Sequence, residues 1–230
     1  MSWKENARKA AALEALKQVK DGFVIGLGSG TTMELFMNEL AYKIKLEELD
    51  ILAVPSSTQV ELKAASLGIK LTSLNEYPKL DLAVDGADQV ELKTLNLVKG
   101  GGAALTREKI VDSSAKKLII IVDEEKLTEK ITHPIPLEVM QFGIKATIEK
   151  IVEIGGKPKL REGLRKAGPI ITDNGNFILD VEFDELNNPE EINYKLKMIP
   201  GVIETGLFLK MVDEVYVGEK NGKTKVLTKS

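Results

Sequence analysis

Apolar residues fall into two rhythms along the chain. Ala7, Ala10, Leu13, Leu16 and Val19 recur at helical spacing, and Gly22 follows as the expected carboxyl-terminal cap. Residues 23–27 form a short continuous apolar run, the mark of a buried strand. Met33, Phe36, Met37, Leu40 and Ile44 then return to the helical period. The alternation continues with a strand at 51–54 and a helix carrying Val60, Ala64 and Leu67, which Ser56, Ser57 and Thr58 can cap and Gly68 stops. Further strands are predicted at 69–74, 80–84 and 117–122. Continuous apolar strands alternating with helices imply a parallel sheet covered on both faces.

Past Thr132 the order changes. Residues 135–139 predict a strand, and 140–154 a helix ended by Gly155-Gly156. Strands at 157–162 and 176–183 are separated by a loop and the Asp173-Asn174-Gly175 turn. A helix over 189–198, with Pro189 in its first turn, leads to a strand at 202–208. This β-α-β-β-α-β order is the split βαβ, ferredoxin-like arrangement. Residues 214–228 read as two strands joined at Asn221-Gly222, a strong hairpin signal. Pro134 and Pro136 make 131–136 the expected crossing between domains.

Composition narrows the function classes. A chain of 230 residues, 43% hydrophobic, suits one large or two small domains with a real core. Net charge is −3 and the basic residues are scattered, so nucleic acid is a poor partner. There is no cysteine to serve as nucleophile, ligand or disulfide, and with His133 as the one histidine a zinc site is close to excluded. No apolar stretch approaches the roughly 18 residues of a membrane span. Residues 1–9 are polar and lack the apolar segment of a secretory signal, so a cytoplasmic protein is expected.

Four polar clusters stand at the carboxyl ends of apolar runs: Gly28-Ser29-Gly30-Thr31-Thr32, Asp85-Gly86-Ala87-Asp88, Lys99-Gly100-Gly101-Gly102 and Asp123-Glu124-Glu125-Lys126. In an open parallel sheet those ends share one edge, where ligand crevices form. The first cluster fails the dinucleotide pattern, because counting from Gly26 or Gly28 puts Thr31 or Met33 where the third glycine belongs. It reads either as hydroxyls and amides at a helix start, suited to one phosphate, or as a tight turn with a Thr cap. Asp85 and Asp88 read either as a turn-and-cap pair or as carboxylates that bind sugar hydroxyls and shuttle protons. Lys99 is either a solvated loop lysine or, with the glycine amides, an oxyanion stabiliser.

Glu108 carries the sharpest expectation. On a helix beginning near Ala103 it projects on the side of Ala104, Val111 and Ala115, with Arg107 and Asp112 pointing elsewhere. A glutamate on an apolar side is partly desolvated, which raises its pKa toward the range of a general base; alternatively it complements the helix dipole or pairs with Lys109 or Lys116. Lys126 reads alone as a surface lysine, and His133 beside Pro134 as structural.

Together these residues resemble the type A ribose-5-phosphate isomerases. The resemblance is carried by 26–32, 85–88 and the run Lys99-Gly100-Gly101-Gly102-Ala103-Ala104-Leu105-Thr106-Arg107-Glu108-Lys109, and further by 136–139, 171–176 and 199–202. It implies an α/β fold in which a Rossmann-like parallel-sheet domain (1–131 with 208–230) carries an inserted ferredoxin-like α+β domain (132–207). It implies interconversion of ribose 5-phosphate and ribulose 5-phosphate in the non-oxidative pentose phosphate pathway, without metal or other cofactor. The partners it implies are a small sugar phosphate and further copies of the chain, in a dimer or a tetramer, with no nucleic acid and no membrane. By the same resemblance Glu108 is the proton acceptor, with Lys99 and Asp85 also catalytic. Ser29, Gly30, Thr31, Thr32, Asp85, Gly86, Ala87, Asp88, Lys99, Gly100, Gly101, Gly102 and Lys126 contact substrate. Gln89 departs from the family pattern, where Glu commonly follows the second Asp. Ser29 and Thr31 exchange the usual Thr and Ser while keeping both hydroxyls. Two rival readings are an amino-sugar-phosphate deaminase, whose leaving group His133 is badly placed to serve, and a sugar-phosphate sensor, for which no basic recognition helix is visible.

Overall fold

The computed structural model describes residues 2–164 and 167–229. Arg165 and Lys166, in the loop expected after residue 162, lie outside the described residues, as do Met1 and Ser230 at the limits of the expected first domain. Helix α1 (Trp3–Leu16) starts on a capping box: the Ser2 hydroxyl accepts the Glu5 amide at 3.3 Å, and the Glu5 carboxylate accepts the Ser2 amide at 2.6 Å. It ends at Lys17, well before Gly22, which serves a later turn at φ 76°.

The chain continues through β1 (Val24–Leu27), α2 (Thr31–Glu47), β2 (Leu52–Pro55), α3 (Thr58–Ser66), β3 (Leu82–Asp85), β4 (Gln89–Glu91) and β5 (Leu97–Val98). Then come α4 (Leu105–Ser113), β6 (Leu118–Asp123), a single 3₁₀ turn (Glu124–Lys126), β7 (Leu127–Thr128), β8 (Ile135–Val139), α5 (Ile144–Glu153) and β9 (Lys157–Leu160). Last are β10 (Phe177–Glu182), α6 (Pro189–Lys197), β11 (Val202–Thr205), β12 (Leu207–Phe208), β13 (Glu214–Gly218) and β14 (Thr224–Thr228). No helix among the described residues is long and apolar enough to cross a membrane.

Two compact units emerge. The first comprises Met1–Ala87, Arg107–Leu127 and Met211–Ser230; the second comprises Asp88–Thr106 and Thr128–Lys210. Residues 88–106, which the sequence pattern leaves with the parallel sheet, thus go with the second unit. The reason is local pairing: β5 is antiparallel to both β4 and β12, in a small sheet of order β12-β5-β4-β7.

The first unit is built on a sheet of order β14-β13-β6-β3-β1-β2, parallel except for the antiparallel hairpin strand β14. Met33, Phe36, Met37 and Leu40 of α2 share one core cluster with Ile25, Leu27, Val84, Ile119 and Ile121. Val24, Val54, Leu80 and Val111 form a separate buried cluster that brings in α4. Each such side chain contributes about 1.5–3 kcal/mol relative to remaining exposed. The β1–α2–β2 connection runs to one side of β1, and β2–α3–β3 returns to the other. The switch point therefore lies between β1 and β3.

In the second unit β8-α5-β9-β10-α6-β11 gives an antiparallel sheet of order β11-β8-β10-β9 around Leu137, Val139, Ile151, Leu179, Val181 and Leu196. Three expected elements differ from the pattern. Residues 69–74 form only an isolated bridge, Leu71 to Ala53. The helix expected from 140 starts at Ile144, after Gly143 in the left-handed region. The strand expected over 202–208 breaks at Gly206, sending β11 and β12 into different sheets.

Candidate active site

At the switch point, Gly28 follows the last residue of β1 and Asp85 is the last residue of β3. The Gly28 amide donates to Val84 O at 2.9 Å, and a Cβ on Gly28 would meet Asp85 Cγ at 1.8 Å, so only glycine fits. Asp85 is fully buried, and its Oδ1 accepts the amides of Ser29 at 3.1 Å and Gly86 at 2.6 Å. The Ser29 hydroxyl shares a hydrogen bond with Ser56 Oγ at 2.9 Å and donates to Ser57 Oγ at 3.1 Å, tying the loop to the end of β2. Ser57 in turn caps α3 by accepting the Val60 amide. The N-cap of α2 is Gly30, at φ 98°, with no side-chain cap bond. Thr31 and Thr32 lie in the first turn, so the Thr cap considered from the sequence is not formed. A helix start of this kind leaves amides to be satisfied from outside the helix.

One charge beside this loop escapes the sequence reading. Arg8 donates from Nη1 to Thr31 Oγ1 at 3.3 Å, while its Nε and Nη2 both donate to Asp123 Oδ2 at 2.7 Å. It reaches there because α1 lies directly on β13: a Cβ on Gly218 would meet Ala7 O at 1.9 Å, and Gly218 pairs with Asp123. The available signal is its place one residue past Ala7 on the buried alanine stripe of α1. Asp123 caps the turn that carries Lys126, accepting the Glu125 amide at 3.2 Å, and Lys126 is half-buried.

Glu108 lies on α4, which is nearest the sheet where Val111 faces Gly26; a Cβ there would meet Val111 Cγ1 at 2.5 Å. Helix α4 starts at Leu105, after Ala103 in the left-handed region at φ 61°. Glu108 is 4% exposed, as expected of an acid on the apolar side. Asp112, expected to point elsewhere, is buried too, at 3%. The stripe Leu105, Glu108, Val111 and Asp112 follows the i, i+3, i+6, i+7 spacing of a single helix face.

Asp88, Lys99 and the glycines belong to the second unit. Asp88 Oδ2 accepts the Gly101 amide at 2.7 Å, and a Cβ on Gly101 would meet Asp88 Oδ1 at 2.6 Å. Gly100 takes φ 109°, a backbone conformation that favours glycine. Lys99 is 2% exposed; its amide donates to Gly206 O at 2.9 Å, and its Nζ stands 5.3 Å from the Phe208 ring centroid. That ring face gives a desolvated ammonium a favourable neighbour. Gln89 braces the crossing into β8. Its Oε1 accepts the amides of Thr132 at 2.8 Å and His133 at 3.0 Å, and its Nε2 donates to Thr132 Oγ1 at 2.9 Å. A glutamate would have to accept the Thr132 hydroxyl instead of donating to it. His133 is exposed, with Nδ1 at 2.8 Å from Pro134 O.

The sequence-predicted residues thus form two groups. Ser29–Thr32, Asp85–Ala87, Glu108 and Lys126 are in the first unit; Asp88 and Lys99–Gly102 are in the second. The chain passes from one to the other between Ala87 and Asp88 and between Thr106 and Arg107. Among the described residues no group of three or more His, Asp or Glu side chains is placed to hold a metal.

Residues 52–222 match the family model described as ribose 5-phosphate isomerase A (phosphoriboisomerase A). The chain is 50% identical to ribose-5-phosphate isomerase A of Methanococcus aeolicus over 224 residues, 96% of this chain and 94% of that one. A solved structure of ribose 5-phosphate isomerase A from Methanocaldococcus jannaschii is similar with a TM-score of 0.94 and 45% identity, covering 98% of this chain and 99% of that one. A D-ribose-5-phosphate isomerase solved in complex with phospho-erythronic acid is similar at TM-score 0.94 and 44% identity, with the same coverage.

Proposed function

This chain belongs to the ribose 5-phosphate isomerase A family, and from that premise we propose that it interconverts D-ribose 5-phosphate and D-ribulose 5-phosphate through an enediolate. The observation that carries the chemistry is Glu108, a carboxylate buried on the helix face that it shares with Leu105, Val111 and Asp112. A carboxylate within reach of the reacting carbon can take a proton from it and return it.

In this reading the phosphate docks on Ser29–Thr32, where the α2 amides lack a side-chain cap and Arg8 adds positive charge to that of Lys126. Asp85, held by two amides, assists furanose opening with Gly86 and Ala87 beside it; Asp88 orients sugar hydroxyls. Glu108 takes the C2 hydrogen of the open aldose as a proton, and the electron pair forms the C1–C2 double bond with charge on O1. The O2 hydroxyl proton passes to O1, Glu108 returns its proton to C1, and a ketone remains at C2. Lys99 and the amides of Gly100–Gly102 stabilise the enediolate charge between those steps. We also read the protein as a cytoplasmic homo-oligomer, a dimer or a tetramer, on the family resemblance and composition.

Incubation with ribose 5-phosphate in deuterium oxide tests the reading. The expected product is ribulose 5-phosphate carrying deuterium on carbon, detected by NMR. A protein that binds the sugar without forming ribulose 5-phosphate overturns it.

A further inference from the structure

One cation outside the family set grips the glycine run. Arg161, just past β9, donates from Nη1 to Gly100 O at 2.7 Å and to Gly101 O at 3.1 Å. The rest of its guanidinium is taken by Asp180 on β10: Nε donates to Oδ2 at 2.8 Å and Nη2 pairs with Oδ1. Asp180 is fixed in register, opposite Lys159 of β9 and Pro136 of β8. The Arg161 side chain is 15% exposed. A planar fork held on one side by a carboxylate and presenting its remaining N–H groups to two successive carbonyls is a rigid device that lysine cannot copy.

Its effect follows from peptide geometry. The bonds joining Gly100 to Gly101 and Gly101 to Gly102 are trans, so each N–H points away from its carbonyl. Two carbonyls captured by one guanidinium turn the Gly101 and Gly102 N–H groups to the opposite side. The first is seen there, donating to Asp88 at 2.7 Å. The Gly100–Gly101 peptide is held further, Gly100 O accepting the Ala103 amide at 3.0 Å and Gly101 N donating to Asp88, so it is the Gly101–Gly102 peptide that leans most on Arg161. Unclamped, it also populates orientations in which its carbonyl oxygen takes the place of the Gly102 N–H. A carbonyl in that place repels an enediolate where an amide would stabilise it.

We propose that Arg161, anchored by Asp180, is a positioning residue that holds the Gly101–Gly102 peptide with the Gly102 N–H presented to the developing enediolate charge. This rests on the isomerase reading. It assigns to β9 and β10 a part in the reaction beyond their place in the second core: they supply the fixed point from which the donors are aimed. Because the benefit is realised when charge develops, the loss falls on kcat more than on KM.

The test uses full-length Arg161→Ala, Arg161→Lys and Asp180→Asn, each with its melting temperature, kcat and KM for ribose 5-phosphate. It adds the inhibition constant of phospho-erythronic acid, whose carboxylate supplies an anion for the same donors. For Arg161→Ala, kcat is expected to fall about 10- to 100-fold with KM within about threefold, and inhibition to weaken in step with kcat. Added guanidinium should restore part of that kcat, and Arg161→Lys should recover little. Asp180→Asn should show a smaller loss of the same kind, which keeps the test open should Arg161→Ala fail to fold. Folded variants with wild-type kcat and inhibition overturn the proposal. So does a kcat loss that merely follows melting temperature and ignores guanidinium. A wild-type protein without isomerase activity instead removes the underlying reading, which keeps the two failures apart.

Discussion

Gly28 and Asp85 occupy one another's space: a Cβ on the glycine would lie 1.8 Å from the carboxylate carbon, and the next amide along, Ser29 N, ends on that carboxylate at 3.1 Å. The Asp85 carboxylate fills the volume that a side chain at 28 would need. Gly28→Ala must therefore displace a fully buried acid. Urea unfolding should show a loss of about 1–3 kcal/mol, and turnover should fall with it, because the Ser29–Thr32 loop and Asp85 move together. Wild-type values for both would mean that the strand ends have room to part.

Glu108→Gln keeps shape and burial while removing the proton acceptor. Turnover should drop by roughly 10²–10⁴ with the melting temperature nearly unchanged. Calorimetry with ribose 5-phosphate should still show binding. Near-normal turnover would take Glu108 out of the role.

Arg8 bonds both a buried acid, Asp123, and Thr31 of the loop proposed to take the phosphate, and the two roles separate. Arg8→Met strands Asp123, which is 1% exposed, and should cost about 3 kcal/mol while raising KM for ribose 5-phosphate about tenfold. Adding Asp123→Asn, which removes the stranded charge and keeps an acceptor for the Glu125 amide, should recover part of the stability but not the KM, because no cation returns beside Thr31. Recovery of both would leave Arg8 a purely structural partner.

Acid should uncover Asp81. Its hydrogen bond from Lys116 Nζ at 2.8 Å, then that from the Val24 amide at 3.0 Å, hold its carboxyl below the ordinary value. A lowered folded-state pKa stabilises the fold above the unfolded value and ceases to do so as pH falls through the folded one. Asp81→Asn should therefore lower the urea midpoint at pH 7 by the equivalent of about 0.5–1 kcal/mol, the exposed lysine end being screened, and by much less near pH 3. A difference that persists unchanged in acid would assign the effect to packing.

The sheet is legible in the sequence because its strands are continuous apolar runs, and four polar clusters at their ends point to the chemistry. Contacts set by register are not. Arg8 meets Asp123, and Arg161 meets the glycine run, only after whole elements have been placed. Asp112 departs from its expected direction because the buried face of α4 is wide enough to take in the position four beyond Glu108. Residues 69–74 have strand-like composition, but Ala53 satisfies only Lys70 O and the Thr72 amide, and the chain then turns at Ser73. The 202–208 run breaks because Gly206 lies against the Lys99 carbonyl, where a Cβ would approach to 2.3 Å.

The contact between Gly218 and Ala7 joins the first helix to a strand far along the sequence. Helix α1 rests on β13 there as well as on β6 and α2, so the placement that brings Arg8 to Asp123 is set by residues far apart in sequence. A side chain at 218 would push α1 from the sheet and draw Arg8 away from Asp123 and Thr31, so a change remote from the Ser29–Thr32 loop in sequence reaches the cation beside it.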